Sequence, residues 1–284
     1  MSEDSKQPLK AILATKHGKE VVMQPLIKDG LGIDIWVPTD FDTDQFGTFT
    51  REKNRTGNQL ETARRKARAA MERYGYQVGI ASEGSFGLHP QLPLLQSNLE
   101  LVVLIDDVHG VEVIGQARSG KNVAKAARVW STEEAVALAD DWGFPTQGII
   151  VRRSEKSYRH MYKDITTVPE LQRVVSYLLR LPFIRSLYME TDLRAHRHTS
   201  RMETIAEATN DMIARYQVRC PACQAPGFQP VSVAVTAVCQ RCNLSTDVPY
   251  MYTHRCQKCG HEAQMMNPGA VSAVTAGECL RCNP

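Results

Sequence analysis

The spacing of apolar and polar positions changes several times along this chain, and each change marks an element. Lys10–Ala14 is a short apolar run that stops at Thr15-Lys16-His17-Gly18-Lys19, which predicts a buried strand ending in a polar loop. Gly18 to about Lys28 predicts a short helix in which Pro25 is an awkward resident. Residues 33–41 alternate like a strand and run into an acidic loop at 42–52. From Gln59 to Tyr74, Leu60, Ala63, Ala67, Ala70, Met71 and Tyr74 recur at helical spacing. Residues 76–82 predict a strand and 83–98 a loop. Two apolar stretches, 99–107 and 111–118, then flank Val108-His109-Gly110 as a hairpin.

Beyond the hairpin the pattern alternates between helix and strand. Residues 131–143 predict a helix capped by Ser131, with Glu134 three residues later completing a capping box. Residues 148–154 and 185–192 predict strands, and 168–181 a helix between them. A long helix over 199–218 carries a second box, Ser200 with Glu203, and a stripe of Met202, Ile205, Met212, Ile213 and Tyr216. Strands alternating with helices argue for an α/β body, and the hairpin makes its sheet mixed.

Composition narrows the class. A chain of 284 residues suggests about two domains. A formal charge of +3 suits an anionic ligand but is too weak to imply nucleic-acid binding by itself. Met1–Lys10 is polar, and the apolar run at 99–107 stops at Asp106, so neither a targeting segment nor a membrane span is expected. The expected location is cytoplasmic.

All eight cysteines follow residue 219 and all occur as Cys-x-x-Cys: Cys220/Cys223, Cys239/Cys242, Cys256/Cys259 and Cys279/Cys282. Disulfide frameworks rarely repeat one short spacing, whereas zinc knuckles do, because both thiolates of a tight turn reach one metal. Two structural Zn²⁺ ions are expected. The intervals of 15 residues between the first two pairs and 19 between the last two fit ribbons formed by consecutive pairs, with a cross-braced pairing as the alternative. The layout is therefore a body at 1–218 and a tandem Cys₄ zinc-ribbon domain at 219–284. Phe228, Tyr250 and Tyr252 are the ribbon domain's candidate exposed aromatics, so nucleic acid or protein contact there is a secondary expectation.

The loop after the first strand carries candidate chemistry. A strand, a glycine-containing turn and a helix start make an anion site, because N-terminal N–H groups point outward unpaired. Thr15 adds a hydroxyl, Lys16 and Lys19 add ammonium groups, and His17 sits between them. The alternative is an ordinary solvated turn. Arg64, Arg65 and Arg68 share a side away from the alanine stripe, the usual arrangement of a solvated face.

Four segments taken in order resemble the inosine triphosphate pyrophosphatase (ITPase, Maf-like) superfamily. "ATKHGKE" (14–20) is similar to its phosphate-binding opening. Residues 48–70 end like its Glu-Asn-Ala-x-x-Lys-Ala-x-x-Ala helix, with Glu61, Lys66 and Ala67 in step. "IASEGSFG" (80–87) occupies the place of Ala-Asp-Asp-Ser-Gly, and 99–115 looks like the family's hairpin. Thr62 stands where the family has Asn, and a single Glu83 where two Asp are usual. "WGFPTQGII" (142–150) sits where a base-recognition loop belongs, and 194–202 is a loose counterpart of the terminal Ser-His-Arg. The whole layout also resembles an uncharacterised bacterial family of unknown function carrying C-terminal zinc ribbons.

The resemblance implies an ITPase-like mixed-sheet α/β body and Mg²⁺-dependent hydrolysis of a nucleoside triphosphate. Thr15, Lys16, His17, Lys19 and Lys66 would hold phosphates, joined by Arg194 and Arg201 from a cluster that includes His196, Arg197 and His198. Glu61 and Glu83 would hold metal and orient water. Read singly, Glu61 is a helix N-terminal acid and Glu83 a loop carboxylate. The rival expectation is a body that binds a nucleotide or RNA end without hydrolysing it, beside ribbons that contact nucleic acid or protein. A homodimer is compatible with either.

Overall fold

The structure is a computed structural model and describes residues 9–46, 58–92, 94–121 and 124–283. Part of the expected acidic loop, the start of the 48–70 segment and most of the polar N-terminal stretch lie outside the described residues. The chain divides into two compact units, one of Met1–Ile105 and Ile114–Ile213, the other of Asp106–Val113 and Ala214–Pro284. The sequence boundary at 218 kept the tip of the hairpin in the body; the division groups Asp106–Val113 with the cysteine-bearing unit.

Unit 1 is a mixed α/β structure with two sheets where the sequence pattern predicted one. The first has the order β2-β1-β3-β4-β5, from β1 (Lys10–Ala14), β2 (Asp34–Trp36), β3 (Val78–Leu88), β4 (Gln96–Asp106) and β5 (Val111–Ser119). β1 runs parallel to both β2 and β3, with Ala14 beside Ala81. Two helices precede β3: α1 (Glu20–Leu31) and α2 (Gln59–Tyr74). The alanine stripe of α2 allows close approach, so Ala63, Ala67 and Ala70 are buried with Ile12, Ala14, Val103 and Ile105. A Cβ on Gly79 would lie 2.5 Å from Met71. The opposite face meets α5 (Thr199–Gln217): Ile114 packs on the α2 side, while a Cβ on its neighbour Gly115 would strike Ala208 and Met212. Helices on both faces of a partly parallel sheet follow from strands that are apolar on both sides.

The second sheet is antiparallel, in the order β6-β9-β7-β8. Its strands are β6 (Ala126–Val129), β7 (Ile149–Arg152), β8 (Tyr162–Ile165) and β9 (Leu187–Thr191). Helices α3 (Thr132–Asp141) and α4 (Val168–Leu179) form one core with it, through Ala135, Leu171 and Val175 against Ile149, Val151 and Met189. Ser131 caps α3 as its pattern implied, with a hydroxyl that accepts from Glu134 N. Trp142 and Phe144, from the stretch placed at a base-recognition loop, are buried in this core. The second expected box differs: α5 begins at Thr199, and the Ser200 hydroxyl lies 3.2 Å from His198 Nδ1.

Unit 2 holds the sheet β12-β11-β10-β13. Two long strands, β10 (Gln229–Cys239) and β11 (Ser245–Arg255), form an antiparallel hairpin flanked by β12 (Glu262–Met266) and the short β13 (Ala273–Val274). Among the described residues, no helix is long and apolar enough to cross a membrane.

Candidate functional site

In unit 1 the candidate site begins at the carboxyl ends of β1 and β3. β1 lies between β2 and β3 and runs parallel to both; the chain leaves β1 towards β2 and leaves β3 towards β4, so the two connections diverge at the position where α/β sheets commonly receive ligands. The loop after β1 supplies Thr15 and Lys19, both buried although both are polar. His17 and Gly18 hold left-handed backbones, φ 68° and 74°, which turn the loop tightly before α1. Lys19 Nζ donates to Ser82 Oγ at 2.9 Å.

Glu83 is next to Ser82. The sequence reading ended the strand before it, yet β3 continues to Leu88 and buries Glu83 to 3% exposure. An apolar pattern cannot reveal such a continuation, because the inward group is charged; it is neutralised by an ion pair with Lys66 of α2. Gln59 fixes the backbone at this point by donating to the carbonyls of Glu83 (2.6 Å) and Leu99 (2.9 Å).

A second buried pair joins β4 to α5. Arg201 Nε donates to Glu100 Oε1 at 2.7 Å, and both side chains are at most 1% exposed. Asn98 donates to the same oxygen at 2.9 Å, and Arg201 also reaches the Leu193 carbonyl. Gly84 makes room for the pair, because a Cβ there would lie 2.3 Å from Glu100 Oε1. Burial opposes ionisation of Glu100, but Arg201 and then Lys19 outweigh it and hold the carboxyl below its usual range. For Lys19, burial comes first and Arg201 adds repulsion, lowering its pKa to about 8.

The segment entering α5 closes the site. His17 and His196 stack with centroids 5.1 Å apart. Arg194 is held by buried Asp192 and reaches Asp164, which also accepts from Arg197 Nε at 2.7 Å. His198 is buried, and burial followed by Arg201 pushes its pKa down to about 4, so it is neutral at pH 7. Its Nε2 has no hydrogen-bond partner.

Thus Lys19, Lys66 and Glu83 come together with Arg201, and with Ser82 and Glu100, which the motifs did not assign to the site; Thr15 is buried in the same loop, its hydroxyl 3.4 Å from the Lys16 carbonyl. A lone acid inside the apolar run at 99–105 was the available signal for Glu100. Two expected residues sit differently. Lys16 forms an exposed 3.0 Å pair with Asp42. Glu61 accepts from Asn58 N at 3.0 Å while its own N–H donates to Asn58 Oδ1, a capping box that fully engages its role at the start of α2. Glu61 is exposed, so the helix-end reading describes its geometry. A separate cavity of about 460 Å³ in unit 1, lined by Val136, Asp140, Phe144 and Val168 among others, contains none of these residues.

In unit 2 the cysteines correct the consecutive pairing. Cys220, Cys223, Cys256 and Cys259 form one group, and Cys239, Cys242, Cys279 and Cys282 the other. The hairpin dictates this cross-brace: β10 carries the chain about 35 Å at ~3.3 Å per residue, away from the first knuckle to the second, and β11 carries it back to the third. Within each group all sulfurs lie within 4.8 Å. Facing pairs are 3.6–3.9 Å apart, near the ~3.8 Å edge of a tetrahedron with ~2.3 Å metal–sulfur bonds. Gln224, Asn243 and Gly260, each following the second cysteine of a knuckle, share a left-handed backbone. The two Cys₄ groups are consistent with two structural metal sites. Phe228, expected to be exposed, is buried at 1% beside Cys220 and Cys256.

The match to known proteins covers most of the chain. No curated protein matches it. A crystal structure of protein VC0702 from Vibrio cholerae is similar at 10% identity and a TM-score of 0.31, over 74% of this chain and 96% of that one. The family described as "Domain of unknown function (DUF6671)" matches residues 66–284, which include Lys66, Glu83, Glu100, Arg201 and all eight cysteines; the chain belongs to this family.

Proposed function

We propose that unit 1 binds the phosphates of a nucleotide at the carboxyl ends of β1 and β3 and hydrolyses a phosphoanhydride bond, and that unit 2 is a zinc-held module. The observation that carries this reading is the buried Lys19–Ser82 contact, flanked by Lys66 and Arg201. A protein buries an ammonium group against its own solvation only at a cost, and an incoming phosphate would offset it. Lys19, Lys66 and Arg201 together supply cations that would bind phosphate oxygens.

The protein groups fit Mg²⁺ only in part. Among the described residues, clusters of three or more potential ligands comprise the two cysteine groups alone. Mg²⁺ commonly takes one or two carboxylates plus substrate phosphates, so Glu83 fits as a single protein ligand to an ion that arrives with the triphosphate. When bound, the ion would neutralise phosphate charge. The chain's own contribution is then positioning: Lys66, released from Glu83, would turn to phosphate, and Glu83 would orient water.

A second reading, binding without hydrolysis, is favoured by a specific feature: the carboxylates of Glu83 and Glu100 are each already engaged by a cation. A panel of nucleoside triphosphates with Mg²⁺, scored for pyrophosphate or phosphate release and by calorimetry, separates the two. Turnover supports hydrolysis, binding without turnover supports the second reading, and the absence of both overturns the nucleotide site.

For unit 2, four thiolates in tetrahedral spacing suit Zn²⁺, and four sulfurs close its shell without leaving a position for water. The zinc ions are accordingly structural.

A further inference from the structure

Asp164 occupies an unusual position for a carboxylate. It lies on β8 where the register with β7 slips: Ile149 faces Ile165 and Val151 faces Tyr162, so β8 carries an extra residue, a bulge. Its backbone is left-handed at φ 63°, a conformation that side chains other than Asn and Asp seldom tolerate in a strand. The bulge aims one oxygen, Oδ1, at three basic side chains: Arg197 Nε at 2.7 Å, Arg194 at 3.0 Å and His196 Nε2 at 3.5 Å. Yet the residue is nearly half exposed, at 46% for its side chain.

The cations are held from behind, independently of Asp164. Arg194 is fixed by buried Asp192, to which its Nε and Nη2 both donate. Arg197 is fixed through its backbone, whose carbonyl accepts from Gly148 N at 2.8 Å, and a Cβ on Gly148 would lie 3.0 Å from its Cβ. His196 is stacked on His17 of the loop after β1. These cations form a basic cluster, joined through His17 to the loop after β1, and the carboxylate among them rides on a strained bulge of a four-residue edge strand.

We propose that Arg194, His196 and Arg197 form a second anion subsite whose resident carboxylate, Asp164, is displaced by a phosphate group of the ligand. The subsite takes its ligand class from the phosphate-binding reading of unit 1, though its existence stands on the geometry of Asp164. One oxygen receiving three donors is what a phosphoryl oxygen would receive, and Arg194 Nη2, held in place by Asp192, already points at the position that a phosphoryl oxygen would take when Asp164 swings out. Asp164 thereby acts as a built-in competitor that lowers affinity for anions in the absence of the correct ligand. Burial works against its ionisation, but Arg197 and Arg194 hold its pKa at about 2, so the competitor is charged throughout the physiological range.

The test uses the full chain, with inorganic pyrophosphate and ATP as calorimetric probes. Asp164→Asn and Asp164→Gly both suit a left-handed backbone and remove the charge, and Gly also empties the pocket. Each should bind pyrophosphate about tenfold tighter or more than the wild type, because the pocket is no longer self-occupied. Adding Arg197→Ala to either variant should abolish the gain. Unchanged or weaker binding in both variants overturns the proposal, as does a gain that survives Arg197→Ala or a chain that binds no pyrophosphate in any form. A gain for pyrophosphate without one for ATP upholds the subsite as one for free phosphoanions and sinks the nucleotide reading; a gain for both upholds the two together.

Discussion

Lys19 and Ser82 meet at 2.9 Å at the carboxyl ends of β1 and β3, tying a residue of the polar loop to the strand that also carries Glu83. Lys19 is 7% exposed and its amine's hydrogen bond is to a neutral hydroxyl. Arg201 and Lys66 repel it while Glu83 and Glu100 attract it, and burial decides the balance. An ammonium in that position destabilises the empty fold, which is understandable if it serves a ligand.

The first prediction is the pH dependence of folding and binding. The folded pKa of Lys19, about 8, lies below its ordinary 10.5, so the unfolded chain takes up a proton first as pH falls. Its contribution to stability is therefore full above pH 10.5, declines as pH falls towards 8 and is constant below. Between 10.5 and about 8 the span is about 3 kcal/mol at most. Anion binding runs the other way, because it requires the protonated amine: affinity should fall by up to about tenfold per pH unit above 8. Calorimetry with pyrophosphate from pH 6.5 to 9.5 measures this, and a flat profile excludes Lys19 from the contact.

Lys19→Met separates function from stability. It removes a buried charge and one hydrogen bond of about 1 kcal/mol, so the ligand-free chain should gain about 2 kcal/mol at pH 7 in denaturant melts. Affinity for phosphate ligands should drop by about ten- to a hundredfold. A variant that is destabilised and binds normally contradicts both parts.

Glu100 and Arg201 give a different expectation. Both are buried and each satisfies the other, so Arg201→Met leaves an uncompensated carboxylate and should cost about 3–5 kcal/mol. Glu100→Gln combined with Arg201→Met should recover much of that loss, since neither charge remains. Because the pKa of Glu100 is depressed, the pair's contribution is present above the unfolded value near 4.5 and is lost as pH falls through the lower folded value. Melts of the single and double variants at pH 7 and pH 4 form the cycle.

What could be read in advance follows from the physics of each signal. α2 was legible from Gln59 to Tyr74 because its stripe is apolar and faces one sheet. The loop after β1 was legible as a polar interruption of a buried strand. The burial of Glu83 was not, although the order of motifs placed the residue in the site, since its side chain is buried by an ion pair with Lys66 and a period count sees only a charged residue after an apolar run. The partnership of Glu100 with Arg201, 101 residues later, leaves no local trace at all. The second sheet was hidden for another reason: β8 is four residues long and contains a bulge, too short to register as alternation.

Glu61 tests the same distinction between local and distant roles. Its carboxylate is committed to the N–H of Asn58, so Glu61→Ala should lower stability by about 1 kcal/mol, the worth of a helix cap. Phosphate binding and any turnover should be nearly unchanged at a temperature where the variant is folded. A loss of turnover beyond about tenfold, with the fold intact by circular dichroism, would return Glu61 to the reacting centre.

The last prediction concerns the cross-brace in unit 2. Consecutive pairing would place Cys220 and Cys239 on one metal, but they lie at opposite ends of β10, and the sulfur groups instead join Cys220 with Cys256 and Cys239 with Cys279. The wild type should hold two zinc ions per chain, one for each group of four thiolates. Replacing two cysteines of one group, Cys220→Ser with Cys256→Ser, should remove one zinc and leave the other. Replacing one from each group, Cys220→Ser with Cys239→Ser, should lower the content towards zero, because a three-sulfur remnant holds zinc weakly against a chelator. Consecutive pairing predicts the reverse assignment of the two double variants. Metal analysis after brief chelator treatment reads the difference directly, and it does not depend on whether unit 1 is active. Because binding free energy of a structural zinc is folding free energy, the variant that loses both ions should also lose protection of β10 and β11 in hydrogen exchange, whereas the variant that keeps the Cys239 group should retain it at that end of the hairpin.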